Sequence, residues 1–156
     1  MDAPLPLNTE FLFRLGLSVG APQAIGPTRS GALRVVPVTG GTFEGPRLSG
    51  EVAAGGGGDW LRVEPDGTTH LDVRLTLRAS GGGLIYCQYT GLRAGPPEVL
   101  ERLGRGEAVD PAAYYFRVAV RFETSAPDLA WLNHTLAVGV GQRPPTGPLY
   151  DIYAVL

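Results

Sequence analysis

The chain predicts an all-β fold, a single-domain antiparallel β-barrel spanning residues 1–156 with one short helix in a crossover. Three observations predict it. Period-2 alternation of apolar and polar residues recurs along the chain, turn residues separate the alternating segments at short intervals, and only one segment carries a helical stripe.

The clearest alternation is THLDVRLTLRA (69–79), where Leu71, Val73, Leu75, Leu77 and Ala79 interleave with His70, Asp72, Arg74, Thr76 and Arg78. The glycines at 81–83 lead from it into LIYCQYT (84–90), which predicts a hairpin with a glycine-rich turn. Similar patterns occupy 10–17, 33–38, 47–52, 59–64, 114–124, 130–138 and 149–155, giving nine strand candidates in all. Between them stand GGGG, PDG, SAPD and PPTGP, each suited to a turn. The helix is PPEVLERLGRGE: proline fits its first turn, Val99, Leu100 and Leu103 share a stripe, and Gly104 suits its end. A further helical turn is expected after Asp110, an N-cap followed by Pro111. The 23 glycines and 14 prolines fall mainly between alternating segments, so they punctuate an ordered chain.

Composition removes whole classes of chemistry. The net charge of -2 is spread along the chain without a basic block, which argues against nucleic acid as a partner. All 13 basic residues are arginine, so a Schiff-base lysine, a phosphate-binding lysine and a lysine general base are impossible. One cysteine and two histidines make no spaced set of metal ligands, and no cofactor or metal is expected. No apolar run reaches membrane-spanning length and no secretory pattern opens the chain, which predicts a cytoplasmic protein with no membrane partner.

The stretch TGGTFEGPRLSGEV (39–52) has glycines at a spacing that a phosphate loop uses, but Pro46 and Arg47 stand where lysine and serine or threonine would be needed. The dinucleotide fingerprint G-x-G-x-x-G is absent. The stretch therefore reads as barrel corners and tight backbone packing, with a ligand-lining loop as the alternative; on that alternative Glu44 joins the ligand-binding candidates.

With GGTFEGPRLSGEV, the words GGGGDW, PDG, LDVRLTLRASGGGLIY, YYFRVAVRFET, AWLN and DIYAV follow in order over nearly the whole chain. The chain thereby resembles the domain of unknown function family 3237, also called uncharacterised protein family 0311. The resemblance implies a compact, oligomeric β-barrel and assigns no chemistry. Two places depart from the family pattern: SGGG at the hairpin turn, where members often carry an acidic turn, and VAV between Arg117 and Arg121, where a threonine and a proline are common.

In 114–124, Tyr115, Arg117, Ala119, Arg121 and Glu123 share one face and five apolar residues the other. The polar face is either the solvated outside of the barrel or the lining of a lumen that holds a polar ligand. In the lumen reading Glu123 and Asp72 are proton-transfer candidates, and Arg74 and Tyr115 are candidates for stabilising an enolate. Arg117, Glu44, Trp60, Trp131 and Asn133 are then candidate ligand contacts, the last two on one strand face. The tryptophans have core filling as their plainer role. His134 is expected to pack, His70 to be solvated, and Cys87 to be a buried, inert thiol. No G-x-S-x-G turn presents a serine nucleophile.

The function expected is a cofactor-independent acid/base enzyme of isomerase, cyclase or hydratase type. Its substrate would be a small carbonyl or aromatic metabolite, and the protein a homo-oligomer. The alternatives are a ligand-carrying barrel without chemistry and a purely structural oligomer.

Overall fold

The computed structural model describes residues 1–156. Ten strands follow in order: β1 (Thr9–Val19), β2 (Gln23–Thr28), β3 (Gly31–Glu44), β4 (Ser49–Val52), β5 (Gly57–Val63), β6 (Thr69–Ala79), β7 (Leu84–Ala94), β8 (Tyr115–Glu123), β9 (Leu136–Gln142) and β10 (Leu149–Val155). One α-helix, α1 (Pro97–Gly104), stands in the crossover between β7 and β8. Asp110 caps the 3₁₀ turn at Pro111–Ala113 by accepting from the Ala112 N–H.

All pairings are antiparallel, and they close on themselves. The strands β1, β10, β9, β8, β7 and β6 run as successive neighbours, and β3 returns to β1. One position between β6 and β3 is shared by two short strands: β4 pairs Leu77–Ala79 with the far end of β3, and β5 pairs the start of β6 with Ala32–Val38. Eight positions therefore make the closed barrel. A barrel of that size has an interior just wide enough to fill with side chains or to hold one small ligand. Arg14 and Asp151 lie opposite each other across the β1–β10 seam and form a two-point ion pair at 2.7 and 2.9 Å. No helix is long and apolar enough to cross a membrane.

The glycine stretch is a place of close backbone approach. Gly41 has φ +146°, and a Cβ there would fall on the Gly16 carbonyl oxygen. A Cβ on Gly45 would fall on the Leu12 carbonyl. These glycines let β3 pass close to β1, the tight backbone packing expected of a barrel corner.

Two strand expectations are corrected. Residues 130–134, expected to be extended, belong to a 3₁₀ helix (Pro127–His134), and the ninth strand starts only at Leu136. Pro127 sits in its first turn and Leu129 and Leu132 are buried three residues apart, which is the 3₁₀ period. His134, expected to pack, is exposed there. The second difference is β2, which had no strand signal; it pairs only with β3 and contains Gly26 and Pro27, residues confined to edges and bulges.

The interior has two tiers. At one end Phe13 meets Phe43 and Phe122 edge-on at 5.4 and 6.0 Å, and Leu12, Leu77, Ile85 and Leu132 are fully buried in the same core. Leu12 and Phe13 are both buried although adjacent, because β1 is bulged against β10 between Phe11 and Phe13. At the other end α1 lies across the mouth, with Leu103 buried and Leu100 against the β5–β6 turn at Gly67. Under the helix the barrel is hollow.

Candidate functional site

The hollow end holds a cavity of about 250 Å³ that opens to solvent beside Arg34, on the order of eight water volumes. Strand parity decides what lines it. On β6 the inward residues are Thr69, Leu71 and Val73; on β7 they include Cys87, Tyr89 and Arg93. The register sets Asp59 of β5 opposite Val73, and Val73 opposite Tyr89, so Asp59 and Tyr89 face one interior roughly 10 Å apart. Arg93 lies opposite Thr69 on one side and Phe116 on the other. Tyr150 of β10 completes the ring of polar groups, packed edge-on against Tyr89 at 5.1 Å and against Phe116 at 5.4 Å. Arg34 and Arg143 line the cavity from β3 and the loop before β10, and Arg143 gives its backbone N–H to the Tyr114 hydroxyl.

Asp59 is the one carboxylate in this lining. Desolvation raises its pKa from 3.8 to about 6, an effect that outweighs the lowering by the Asp72 N–H bonded to its Oδ1 at 3.0 Å and by the Arg93 charge. The β5–β6 pairing skips Trp60 and Leu61, and across that gap the Asp59 side chain takes the Asp72 N–H. Burial likewise lifts the Tyr89 and Tyr150 hydroxyls above the ordinary phenol range, so both stay protonated, and the Tyr89 hydroxyl is buried without a hydrogen-bond partner. Arg93 has its pKa lowered by burial, and its Nε is buried without a hydrogen-bond partner.

The residues picked from the sequence occupy other places, and the lumen reading of the polar faces is corrected. Glu123, Tyr115, Arg117 and Arg74 are exposed on the outside of the barrel, and Asp72 sits half-buried on that same outer parity. The physical reason is solvation: turned inward, this set of charges would need partners that the apolar wall lacks. Arg117 lies over the Tyr115 ring at 5.2 Å, and Arg74 faces the partly exposed Trp60 ring at 5.8 Å. Glu123 and Asn133 do come together, in an open surface depression beside Arg121. Glu44 is exposed at the end of β3. Trp131 is stacked under the Arg47 guanidinium at 3.7 Å and shares no strand face with Asn133, since both lie in the 3₁₀ helix.

Asn133 has a structural task instead. Its Oδ1 accepts from the Thr124 N–H at 2.8 Å and its Nδ2 donates to the Thr124 carbonyl at 2.9 Å, tying the 3₁₀ helix to the end of β8. Asn133→Ala is expected to lower stability by about 1–2 kcal/mol, read as a shift in the urea midpoint, and to leave the cavity unaffected. Cys87 is buried as expected, and desolvation pushes its thiol up to about 12. His70 is exposed, 3.0 Å from Glu64.

The charged and phenolic cavity residues that sequence reasoning missed are Arg34, Asp59, Tyr89, Arg93, Arg143 and Tyr150. For two of them a signal existed. Arg93 keeps step with Ile85, Cys87 and Tyr89, and Asp59 with Leu61, so each is a charge on an apolar parity.

Known proteins resemble this chain along nearly all its length. The UPF0311 protein RPA1785 of Rhodopseudomonas palustris is 33% identical over 150 residues, covering 96% of this chain and 97% of the relative. Its crystal structure superposes with a TM-score of 0.91 at 32% identity, covering 99% of this chain and all of that one. A β-barrel-like protein from Acinetobacter baumannii, ABAYE2633, is 38% identical with a TM-score of 0.86, and the two chains cover each other completely. More distantly, the hydroalkoxylation enzyme phnH of Penicillium herquei is 28% identical over 137 residues, covering 87% of this chain and 75% of that protein. The model of the family described as "Protein of unknown function (DUF3237)" matches residues 7–155, and this barrel belongs to that family.

Proposed function

We propose that the cavity is the active site of a cofactor-independent acid/base enzyme acting on a small, largely apolar carbonyl or aromatic compound, with Asp59 as the group that moves the proton. The observation that carries this reading is a lone, largely desolvated carboxyl in a cavity of mixed apolar and cationic lining, raised to about 6 and so poised to take and return a proton near neutral pH. The relative phnH, named as a hydroalkoxylation enzyme, supports a reaction of the same kind here: addition of a hydroxyl across an activated double bond.

The residues can carry out that addition with atoms in balance. The Asp59 carboxylate takes the proton of the substrate hydroxyl as its oxygen bonds to one carbon of the double bond. The π pair moves onto a conjugated carbonyl oxygen, where the Arg93 charge and the phenol donors Tyr89 and Tyr150 stabilise it. Asp59 then returns the proton to the neighbouring carbon. Nothing is oxidised, nothing leaves, and Asp59 ends as it began.

The proton step alone is testable with acetophenone in D₂O, following deuterium entry into its methyl group by NMR. The enzyme should accelerate exchange above the buffer rate, with the rate rising through pH 6 and levelling above it, because the ionised form of Asp59 is the base. Acetophenone that binds but exchanges only at the buffer rate would make this barrel a carrier.

A further inference from the structure

The cavity holds more positive charge than it neutralises. Arg34, Arg93 and Arg143 line it, against the single carboxylate of Asp59. None of these four side chains takes part in an ion pair; the salt bridges of the molecule are Arg14–Asp151, His70–Glu64, Arg102–Glu107 and Arg105–Glu107, all elsewhere. Arginine keeps its charge in proteins, and a charge withdrawn from water ordinarily has a partner. Arg93, half-buried with a buried and unpartnered Nε, has none of its own. Its one hold on the wall is the Phe116 ring, 5.6 Å from the guanidinium carbon.

On the reading of the cavity as the site, we infer that its ligand brings the missing negative charge: a phenol or enol whose oxygen becomes anionic in place beside Arg93, on a flat body small enough for about 250 Å³. A permanent carboxylate fits less well, because it would stand against Asp59 throughout. A phenol or enol enters neutral, and when its proton passes to Asp59 the total charge of the cavity is unchanged while the new oxyanion faces the guanidinium. Arg34, exposed at the mouth, attracts acidic ligands from solution; Arg143, from the loop before β10, adds to the field inside.

Binding of 4-nitrophenol, nitrobenzene and benzoate to the full chain tests this, with 4-nitrophenolate visible by its own absorbance. The expected result is that 4-nitrophenol binds at least about tenfold more tightly than nitrobenzene, a difference on the order of 1.4 kcal/mol, and is bound as the anion below the pH at which it ionises in water. Arg93→Met should erase that preference and Arg93→Lys should keep most of it, so that loss of charge is separated from loss of fold. Nitrobenzene binding as tightly as 4-nitrophenol would overturn the inference and leave the cavity as a site. Benzoate binding more tightly than 4-nitrophenol would overturn the phenol and enol assignment. No binding of any of the three up to about 10 mM would remove the site reading and the inference together.

Discussion

Asp59→Asn is expected to reduce proton exchange by about 10²–10⁴-fold, the contribution usual for a positioned acid or base, while making the protein more stable above pH 6. The opposite signs come from one cause. The folded-state pKa of Asp59 lies near 6 against an unfolded value near 3.8, so between those values the native state holds the proton more tightly than the unfolded chain. Stability therefore falls as pH rises through that window, and the full cost of an ionised, desolvated carboxylate is reached above it. That cost is on the order of 3 kcal/mol for a shift of this size. Asparagine keeps the oxygen that accepts the Asp72 N–H and removes the charge. Urea midpoints at pH 8 should favour the variant by roughly 1–3 kcal/mol, and at pH 3.5 the two proteins should unfold alike. A variant that lost stability equally at both pH values would show that Asp59 is a structural hydrogen-bond acceptor and not a group held at a cost for chemistry.

The second large effect is structural. Gly45→Ala should cost about 3 kcal/mol or more, because the added methyl carbon meets the backbone of Leu12, which is fixed by its place in β1 and cannot swing away as a side chain would. Gly40→Ala, five residues earlier in the same stretch, supplies the control. Nothing lies within 4 Å of a Cβ there and its φ is ordinary, so its effect should stay within about 0.5 kcal/mol. Equal urea midpoints for the two variants would show that the barrel corner relaxes freely.

These two residues also mark what could be read from the sequence. Alternation fixes the walls: on β6 and β8 the apolar parity lies inward along both strands, from Leu71 to Ala79 and from Phe116 to Phe122. Glycine at points of crowding was legible for the same reason, since only backbone can approach backbone so closely. The site was less legible because charges repeated along one strand face mark the solvated outside of a barrel. What marks an interior site is the isolated charge that breaks an apolar parity, as Arg93 does after Ile85, Cys87 and Tyr89. The 3₁₀ helix at Pro127–His134 was hidden by an accidental alternation in AWLNHTLAV, although the burial of Leu129 and Leu132 follows a period of three. From this strand the sequence singles out Trp60 and passes over Asp59 beside it. That choice was reversed by pleating, which turns the tryptophan outward and the carboxyl in.

The division of the barrel into a filled end and a hollow one lets thermal robustness and ligand choice be tuned separately. The phenylalanines at Phe13, Phe43 and Phe122 pack against one another at the filled end, and none of them lines the walls that meet a guest molecule. Libraries confined to Leu17, Val36, Leu61 and Leu71 can therefore reshape the guest chamber while that foundation stays intact. Relatives that share the foundation and differ in those four positions would be one scaffold adapted to different molecules.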